Sequence, residues 1–366
     1  MSKQNELVNL ARTGASGGGS KNMVINGDMR IDQRNSGSLV TVTNSADTFC
    51  PDRFRFTENH SGTFTIQQVS DAPVGFEYSS KITVTGTDSS LAATEFARIL
   101  QGIEGQNISH LNWGSSNAKT CTLSFYVKSS VTGQYYVSIN NNSTNRNMLK
   151  GYTIDTANTW EKKEITIIGD QTGTWNTNNL TGIYIMWTLG TGSNYQSSTV
   201  DAYQSGFFMG ASDQTNLAAT ASATWQLAGV QFEVGEKATD FEHRSYGDEL
   251  FRCQRYYEQW DTVGGENVVI GTSYSGNNPH AVVHMKVIKR AAPTVTLPPA
   301  GISTGQIAFL TGTGSTTSTI GTHSTNRLNT RSIRVAGTGY GGISSSQPST
   351  LYAYGGASSF KFDAEL

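Results

Sequence analysis

The sequence predicts an all-β protein: an antiparallel jelly-roll sandwich, a short helix, and then a second, smaller β domain rich in glycine and threonine. Three observations support this prediction. Segments in which polar and apolar residues alternate recur from Asn22 onward. Turn-forming residues separate these segments, and the chain contains 39 glycines in 366 residues. Aromatic residues make up 10% of the chain and, with many β-branched residues, favour strands.

The alternation places individual strands along the chain. In the first β-rich region it predicts strands at 81–85, 120–128, 135–140, 163–168, 182–189 and 224–234. Residues 91–103 fit either a helix, from the spacing of Phe96, Leu100 and Ile103, or a strand. Further strands are predicted at 268–271, 280–288, 293–297 and 359–366. Because residues 301–350 contain few apolar side chains, we expect the C-terminal region to bury little surface as a monomer.

Residues 246–260 form a charged, aromatic and helix-compatible segment between the two β-rich regions. Its apolar residues follow spacings of three, four and three, which is typical of a short coiled-coil seam: Leu250, Cys253, Tyr257 and Trp260. A helix of about ten residues is unstable alone in water. We therefore expect this seam to pack against copies of itself or against the sandwich. The predicted domain organisation is 1–21, 22–245, 246–262 and 263–366.

The N-terminal residues carry a short apolar cluster, Leu7, Val8 and Leu10, followed by a glycine- and serine-rich linker at 13–21. This arrangement fits either a docking peptide on a tether or a frayed terminus. The segment lacks the apolar core of a secretory signal. Since no window approaches about 18 continuous apolar residues, membrane insertion is not expected.

Composition narrows the functional classes. Charged residues are 15% of the chain and the formal net charge is −2, which excludes a strongly basic nucleic-acid-binding protein. Cys50, Cys121 and Cys253 are widely spaced and form no Cys-x-x-Cys motif, so we interpret them as reduced, buried thiols. No cofactor motif is present, and the sequence leaves metal binding open.

Catalysis has little support in the sequence. There is no His-Glu-x-x-His motif, and the Gly-x-Ser-x-Gly match at Gly14–Gly18 lies in the glycine- and serine-rich linker rather than between a strand and a helix. A glycosidase needs two carboxylates across a cleft, and the sequence offers five candidates. We interpret them as turn caps, salt-bridge partners or calcium ligands rather than as catalytic groups: Asp52, Asp155, Asp170, Asp201 and Glu233. The sequence therefore predicts a protein that is not an enzyme.

Sugar binding requires exposed aromatic faces beside amide, hydroxyl or carboxylate groups. Trp175 is the best candidate platform, since glycine, threonine and asparagine surround it. Trp113 and Tyr195 also lie next to turn residues, and Asn176 supplies an amide beside Trp175. The alternative for each aromatic residue is a place in the core, which is the commoner role of a single tryptophan or tyrosine.

Several short motifs together carry a family resemblance: Asn26–Gly37, Asp52–Phe54, Leu123–Ser130, Thr159–Lys163, Gly173–Trp175, Ala223–Gln226, Gly229–Gly235, Ala238–Gly247, Leu250–Tyr257, Lys289–Val295 and Asp363–Leu366. In this combination the chain resembles bacteriophage tail-fibre-type proteins that carry a jelly roll similar to carbohydrate-binding modules. The resemblance covers residues 22–297 and the last strand, and no catalytic residues come with it.

The resemblance implies a virion structural protein that is assembled in the host cytoplasm. It implies a homotrimer with the 250–260 seam on its axis, an N-terminus docked to another virion protein, and contact with host cell-surface polysaccharide. A capsid-attached fibre or knob with an architectural role fits the same motifs. A polysaccharide depolymerase and a free sugar-binding module are the remaining alternatives; no short-period solenoid repeat supports the depolymerase.

Overall fold

The computed structural model describes residues 21–141, 145–262, 265–311, 321–354 and 358–366. The chain is nearly all β, with 46% strand and 7% helix, and its sheets are antiparallel. The predicted fold class is confirmed. Within the described residues, contacts divide the chain into unit 1, formed by 21–28, 58–65 and 69–244, and unit 2, formed by 29–57, 66–68 and 245–366.

Two antiparallel sheets build the jelly roll. Their strands are β1 Val40–Thr41, β2 Thr48–Phe49, β3 Arg55–Asn59, β4 Thr63–Val69, β5 Ser79–Gly86, β6 Phe96–Glu104, β7 Cys121–Ser129, β8 Gly133–Asn141, β9 Arg146–Ile154, β10 Glu161–Ile167, β11 Thr181–Thr191, β12 Tyr203–Ser205 and β13 Thr224–Val234. Sheet A has the order β1-β4-β5-β13-β7-β10, and sheet B has the order β12-β9-β8-β11-β6-β3-β2. Successive strands from β5 to β8 alternate between the two sheets, as in a jelly roll. A short helix, α1 Gly105–Ile108, follows β6.

Aromatic side chains fill the space between the two sheets of unit 1. Phe125 on β7 lies with its ring centroid 5.7 Å from that of Trp187 on β11 and 5.2 Å from that of Tyr152 on β9. All three side chains are buried, and so is Trp225 on β13. Each such ring removes about 150–250 Å² from water. The core of unit 1 therefore depends on large rings contributed by four different strands, β7, β9, β11 and β13.

The open choice at residues 91–103 resolves as strand β6. It pairs antiparallel with β11, with Arg98 opposite Thr188 and Leu100 opposite Met186. β6 lies between β11 and β3 within sheet B, so pairing with neighbours on both sides outweighs the helical spacing of its apolar residues.

Unit 2 contains helix α2 Tyr246–Gln254 and the strands β14 Tyr257–Thr262, β15 Glu266–Ser275, β16 Asn278–His284, β17 Thr294–Thr296, β18 Gln306–Thr311, β19 Thr322–Asn326, β20 Ser332–Thr338, β21 Pro348–Tyr354 and β22 Ser358–Asp363. They form sheet C, in the order β14-β22-β17, and sheet D, in the order β18-β21-β15-β16-β20-β19. Phe309, Val335, Leu351, Phe360 and Phe362 are fully buried in one core. The expectation that this region buries little surface as a monomer is wrong, because its few apolar residues are concentrated on one side of the strands.

The predicted helix over 246–262 is correct only in its first half. Ser245 caps α2 by accepting a hydrogen bond from the Asp248 backbone N–H. After Gln254 the chain turns into β14, which pairs along its length with β22, placing Tyr257 opposite Asp363 and Trp260 opposite Phe360. Aromatic residues favour a half-buried strand, and the terminal strand supplies its partner.

The predicted oligomerisation seam therefore does not exist as a helical stripe. Cys253 and Tyr257 are buried within unit 2, Leu250 is half-buried, and Trp260 lies on β14 rather than on a helix. The exposed rings of α2 belong instead to Tyr246 and Phe251. The predicted docking residues Leu7, Val8 and Leu10 lie outside the described residues.

Residues 29–57 belong to unit 2, which differs from the predicted domain boundary at residue 245. The contacts of the Arg34 guanidinium group explain part of the assignment of residues 29–57 to unit 2. It lies 3.4 Å from Asp52, 3.2 Å from Asp363 and 3.3 Å from Glu365. It also lies 3.6 Å from the ring centroid of Tyr257. An arginine in the early segment is thus fixed by carboxylates of the last residues, a long-range interaction that local sequence patterns do not reveal.

The three cysteines are free and buried, as predicted. Burial raises the pKa of the Cys121 thiol to about 12, so it stays protonated. No helix among the described residues has the length and apolar character needed to cross a membrane.

Two adjacent positions on β7 test the alternation directly. We expect Phe125→Ala to lower the free energy of unfolding by about 3–5 kcal/mol, because it leaves a cavity between the sheets. Tyr126→Ala, one position along and half-exposed, should cost about 1 kcal/mol or less. Urea denaturation of both variants measures the difference. Equal losses of unfolding free energy in the two variants would show that Phe125 does not lie in the core while Tyr126 lies outside it.

Candidate functional site

The predicted platforms Trp175 and Trp113 are buried, with 7% and 8% of their surfaces exposed. Their rings contact each other edge to face at 4.8 Å, and the Trp175 indole N–H donates to Asp170 Oδ2 at 3.1 Å. Asp170 is held in turn by two hydrogen bonds from Arg146, at 2.7 and 2.6 Å. The prediction that these tryptophans offer stacking faces is wrong, because the Trp175 indole is held against the buried carboxylate of Asp170 and the two rings contact each other.

The other two predicted sugar contacts, Asn176 and Tyr195, do not form a binding surface with the two tryptophans. The Asn176 side chain donates to the backbone oxygen of Thr181 at 3.1 Å. Tyr195 is half-exposed and contacts Phe96 at 5.5 Å and Phe207 at 6.0 Å between ring centroids. Tyr195 thus remains accessible, but in an aromatic cluster separate from Trp175.

The five carboxylates considered for catalysis have structural partners. Asp52 accepts from Gln33, Asp170 from Arg146, and Glu233 from Thr239. Asp155 and Asp201 lie within salt-bridge distance of lysines, 3.4 Å from Lys163 and 2.9 Å from Lys150. These contacts agree with their interpretation as salt-bridge and turn partners.

A better candidate surface lies on the outward side of sheet A. We call it the outer strip and define it by Asp71, Tyr126, Lys128, Trp160 and the buried Gln226, which supports Asp71. Register places these residues together: Lys128 on β7 is opposite Gln226 on β13, and Trp160 immediately precedes Glu161, which is opposite Val127. Tyr126 and Lys128 lie on the same side of β7, about 7 Å apart along the strand.

Asp71 is the polar centre of the outer strip. Its carboxylate accepts hydrogen bonds from Lys128 Nζ at 2.8 Å, from Gln226 Nε2 at 3.1 Å and from the Trp160 indole N–H at 3.4 Å. Ser79 donates to the Gln226 carbonyl oxygen at 3.0 Å, which fixes the orientation of that amide. The Asp71 side chain keeps 48% of its surface exposed, so it retains room to accept further hydrogen bonds from a ligand.

Aromatic rings border the strip on both sides. The Trp160 ring is half-exposed, with Lys128 Nζ 5.9 Å from its centroid. On the other side, Tyr126 lies 5.5 Å from Phe76, which contacts Phe241 at 4.9 Å. The rings of Tyr126 and Phe76 cross a bulge in β13, where Gly229 has φ +58°. A Cβ at this glycine would come within 2.6 Å of the Phe76 ring. The bulge thus admits the rings because no side chain is present there.

The charges of the strip are nearly balanced. Burial works to raise the pKa of Asp71, but the hydrogen bonds from Lys128 and Gln226 and the positive charge of Lys128 outweigh it and hold that pKa below its usual range. Lys162 beside Tyr126 pairs with Glu164 at 2.7 Å. A neutral surface of half-exposed rings and fixed hydrogen-bonding groups suits an uncharged polyhydroxylated ligand.

The sequence contains only part of the signal for this surface. The alternation of Phe125 and Val127 with Tyr126 and Lys128 already distinguishes the two sides of β7. Asp71 lies in a loop and reaches the strip only through the fold, so no local pattern indicates it. Among the described residues, no group of three or more His, Cys, Asp or Glu side chains is arranged to hold a metal ion.

No protein-family model matches the chain, and no curated protein matches it. Solved structures that resemble it include a putative sugar-binding protein from Bacteroides thetaiotaomicron, at 13% identity and a TM-score of 0.34, covering 58% of this chain and 100% of that one. The enzymatically active domain of bacteriophage CBA120 tailspike protein 4 matches at 12% identity and a TM-score of 0.31, covering 59% of this chain and 22% of that one. TmCBM61, solved with β-1,4-galactotriose, matches at 11% identity and a TM-score of 0.29, covering 59% of this chain and 99% of that one. At these TM-scores the similarities assign neither a ligand nor an activity to this chain.

The depressed pKa of Asp71 gives a pH prediction. Because the folded-state pKa lies below the unfolded value of about 4, the contribution of Asp71 to stability is present above that value and is lost as the pH falls through the folded-state pKa. The difference in unfolding free energy between the wild type and Asp71→Asn should be constant above about pH 5 and should shrink on acidification. Urea titrations at several pH values measure it. A difference that grows towards low pH would contradict the assignment.

Proposed function

We propose that this chain is a non-enzymatic structural component of a bacteriophage particle that binds host-surface polysaccharide through the outer strip. The observation that carries the glycan part is the half-exposed Trp160 ring bonded to the anchored Asp71 carboxylate, with the half-exposed Tyr126 ring two residues from Lys128 on the same side of β7. Sugar rings stack their C–H groups on aromatic faces, while their hydroxyl groups need fixed donors and acceptors. The strip offers both on the outward side of sheet A.

The virion part of the proposal rests on the sequence motifs. Their side chains have structural roles within the units. The backbone oxygen of Gly27 accepts from the Val230 N–H at 2.8 Å, in a space where a Cβ would lie 2.1 Å from the Val230 oxygen. Asp32 accepts from the Gly37 N–H at 2.9 Å, and Glu242 from the Asn22 N–H at 2.9 Å. These contacts show that the motifs specify a fold. The family resemblance that the motifs carry supports a virion protein, and it does not distinguish a tail location from a capsid location.

Binding without cleavage fits the chemistry of the strip. A general acid in glycoside hydrolysis needs a carboxyl group with a raised pKa, whereas the pKa of Asp71 is lowered. A depolymerase remains the competing function, and a capsid-attached fibre with an architectural role is the competing location. Incubating the purified chain with host polysaccharide and measuring new reducing ends separates a depolymerase from a binding protein.

The direct test of the proposal starts by screening the full chain on an array of neutral and acidic bacterial oligosaccharides. We expect binding, and we expect Trp160→Ala to weaken the affinity for the best neutral ligand roughly tenfold, or ~1.4 kcal/mol. Calorimetric titration measures the change. Tyr195→Ala, which alters the other half-exposed aromatic cluster of unit 1, is the matched control and should leave that affinity unchanged. A loss at Tyr195 alone would move the site to that cluster.

Self-association is a further part of the proposal, because several weak sites on one particle gain affinity through multivalency. We expect light scattering to give three times 39.4 kDa. Since the buried residues Cys253 and Tyr257 are unavailable to a partner, their substitution is not the way to test the trimer. Phe251 on α2 has 60% of its surface exposed, so its substitution is the informative test of the trimer. A monomeric mass at all concentrations would contradict this part of the proposal.

A further inference from the structure

Unit 2 contains a separate open cavity of about 630 Å³. Its volume falls within the range of small-molecule binding sites, roughly 300–1,000 Å³. Residues from β14, β15, β16 and the segment just after β16 form its walls: Gln259, Trp260, Asp261, Val268, His284 and Lys286. None of these residues belongs to the outer strip.

Trp260 forms an aromatic wall of the cavity, and its orientation is fixed from behind. The indole N–H donates to the buried carboxylate of Glu258. The ring rests on Phe362 and Phe360, with centroid distances of 5.4 and 6.2 Å. Because Trp260 is half-exposed and its N–H is already bonded inside, the group that it offers to a ligand is its aromatic surface.

Glu258 also positions the cation of the cavity. Its carboxylate accepts from the backbone N–H of Lys286 at 2.9 Å and forms an ion pair with Lys289, in which both side chains are fully buried. Burial lowers the pKa of the Lys289 ammonium group, and Glu258 opposes that decrease. The Lys286 side chain is exposed and its Nζ lies 5.8 Å from the Trp260 ring centroid. One buried carboxylate therefore fixes both the ring and the backbone of the lysine beside it.

Asp261 lies one residue further along β14, so its side chain points to the opposite side of that strand from the Trp260 ring. Its carboxylate accepts from Gln259 Nε2 at 2.8 Å and from Ser359 Oγ at 2.7 Å, both on that opposite side. Lys286 therefore supplies the charge beside the Trp260 ring. A ligand that satisfies this arrangement needs an apolar ring face and one negative charge.

We propose that this cavity is a second binding site and that its ligand is an acidic saccharide, a pyranose carrying a carboxylate. The sugar ring stacks on Trp260 and its carboxylate pairs with Lys286. A phosphate group fits less well, because phosphate sites usually surround the ligand with several donors or an arginine fork. The site is distinct from the outer strip, so it stands whether or not the strip binds saccharide.

The test is titration of the full chain with trigalacturonate and, in parallel, with the neutral galactotriose, followed by tryptophan fluorescence and calorimetry. We expect trigalacturonate to bind and Lys286→Gln to weaken its binding about fivefold. Lys361→Gln changes a half-exposed lysine of the same unit outside the cavity and should leave binding unchanged. Lys286 is exposed, so its substitution should leave the fold intact, which a urea titration checks.

Trp160→Ala separates this site from the outer strip. Trigalacturonate binding that survives Trp160→Ala and falls with Lys286→Gln supports the cavity. Binding that is abolished by Trp160→Ala and unaffected by Lys286→Gln would assign the acidic ligand to the strip and overturn the inference. The absence of trigalacturonate binding would also overturn the inference, and so would an equal affinity of the cavity for galactotriose. Neither result would bear on the binding of neutral ligands at the outer strip.

Discussion

The pairing register of β7 is the constraint on which both the core and the candidate site of unit 1 depend. Phe125 and Val127 point between the sheets, while Tyr126 points outward to Phe76 and Lys128 points outward to Asp71 and Trp160. A slip of one residue would exchange the two sets, placing a lysine in the core and a phenylalanine in water. Pairing with β10 on one side and β13 on the other prevents that slip. The energy of ring burial therefore also positions the surface that we propose binds sugar.

The two proposed sites use the same physical device with different charge. In each, a tryptophan donates its indole N–H to a carboxylate, so that the ring is oriented and its surface remains for a ligand. In the outer strip the carboxylate is Asp71, half-exposed and balanced by Lys128. In the cavity of unit 2 it is Glu258, fully buried and balanced by Lys289, which leaves the exposed Lys286 as an available positive charge. This difference is why we assign neutral saccharides to one site and acidic saccharides to the other.

The sequence predicted the strands well where alternation was strong: residues 224–234 form β13 with the predicted limits. It failed where a distant partner decides the outcome. Residues 257–262 pair with the last strand of the chain, so the helical spacing of Tyr257 and Trp260 had no bearing on their structure. Trp175 has loop-forming neighbours, yet it is buried, and its indole N–H donates to Asp170, which Arg146 holds in place. Asp71 and Gln226 meet across 155 positions, a contact that no single-sequence pattern encodes. Local patterning thus gave the fold class and much of the core, but not the site.

Hydrogen–deuterium exchange on the full chain, with and without the neutral oligosaccharide selected by array, tests the central claim most directly. Ligand bound across the outer strip should slow exchange in residues 71–76, in the loop leading into β10 around Trp160, and at the exposed end of β7. Exchange in residues 193–210, around Tyr195 and Phe207, should not change. Protection confined to that second region, or to unit 2, would contradict the assignment of the sugar-binding surface to sheet A.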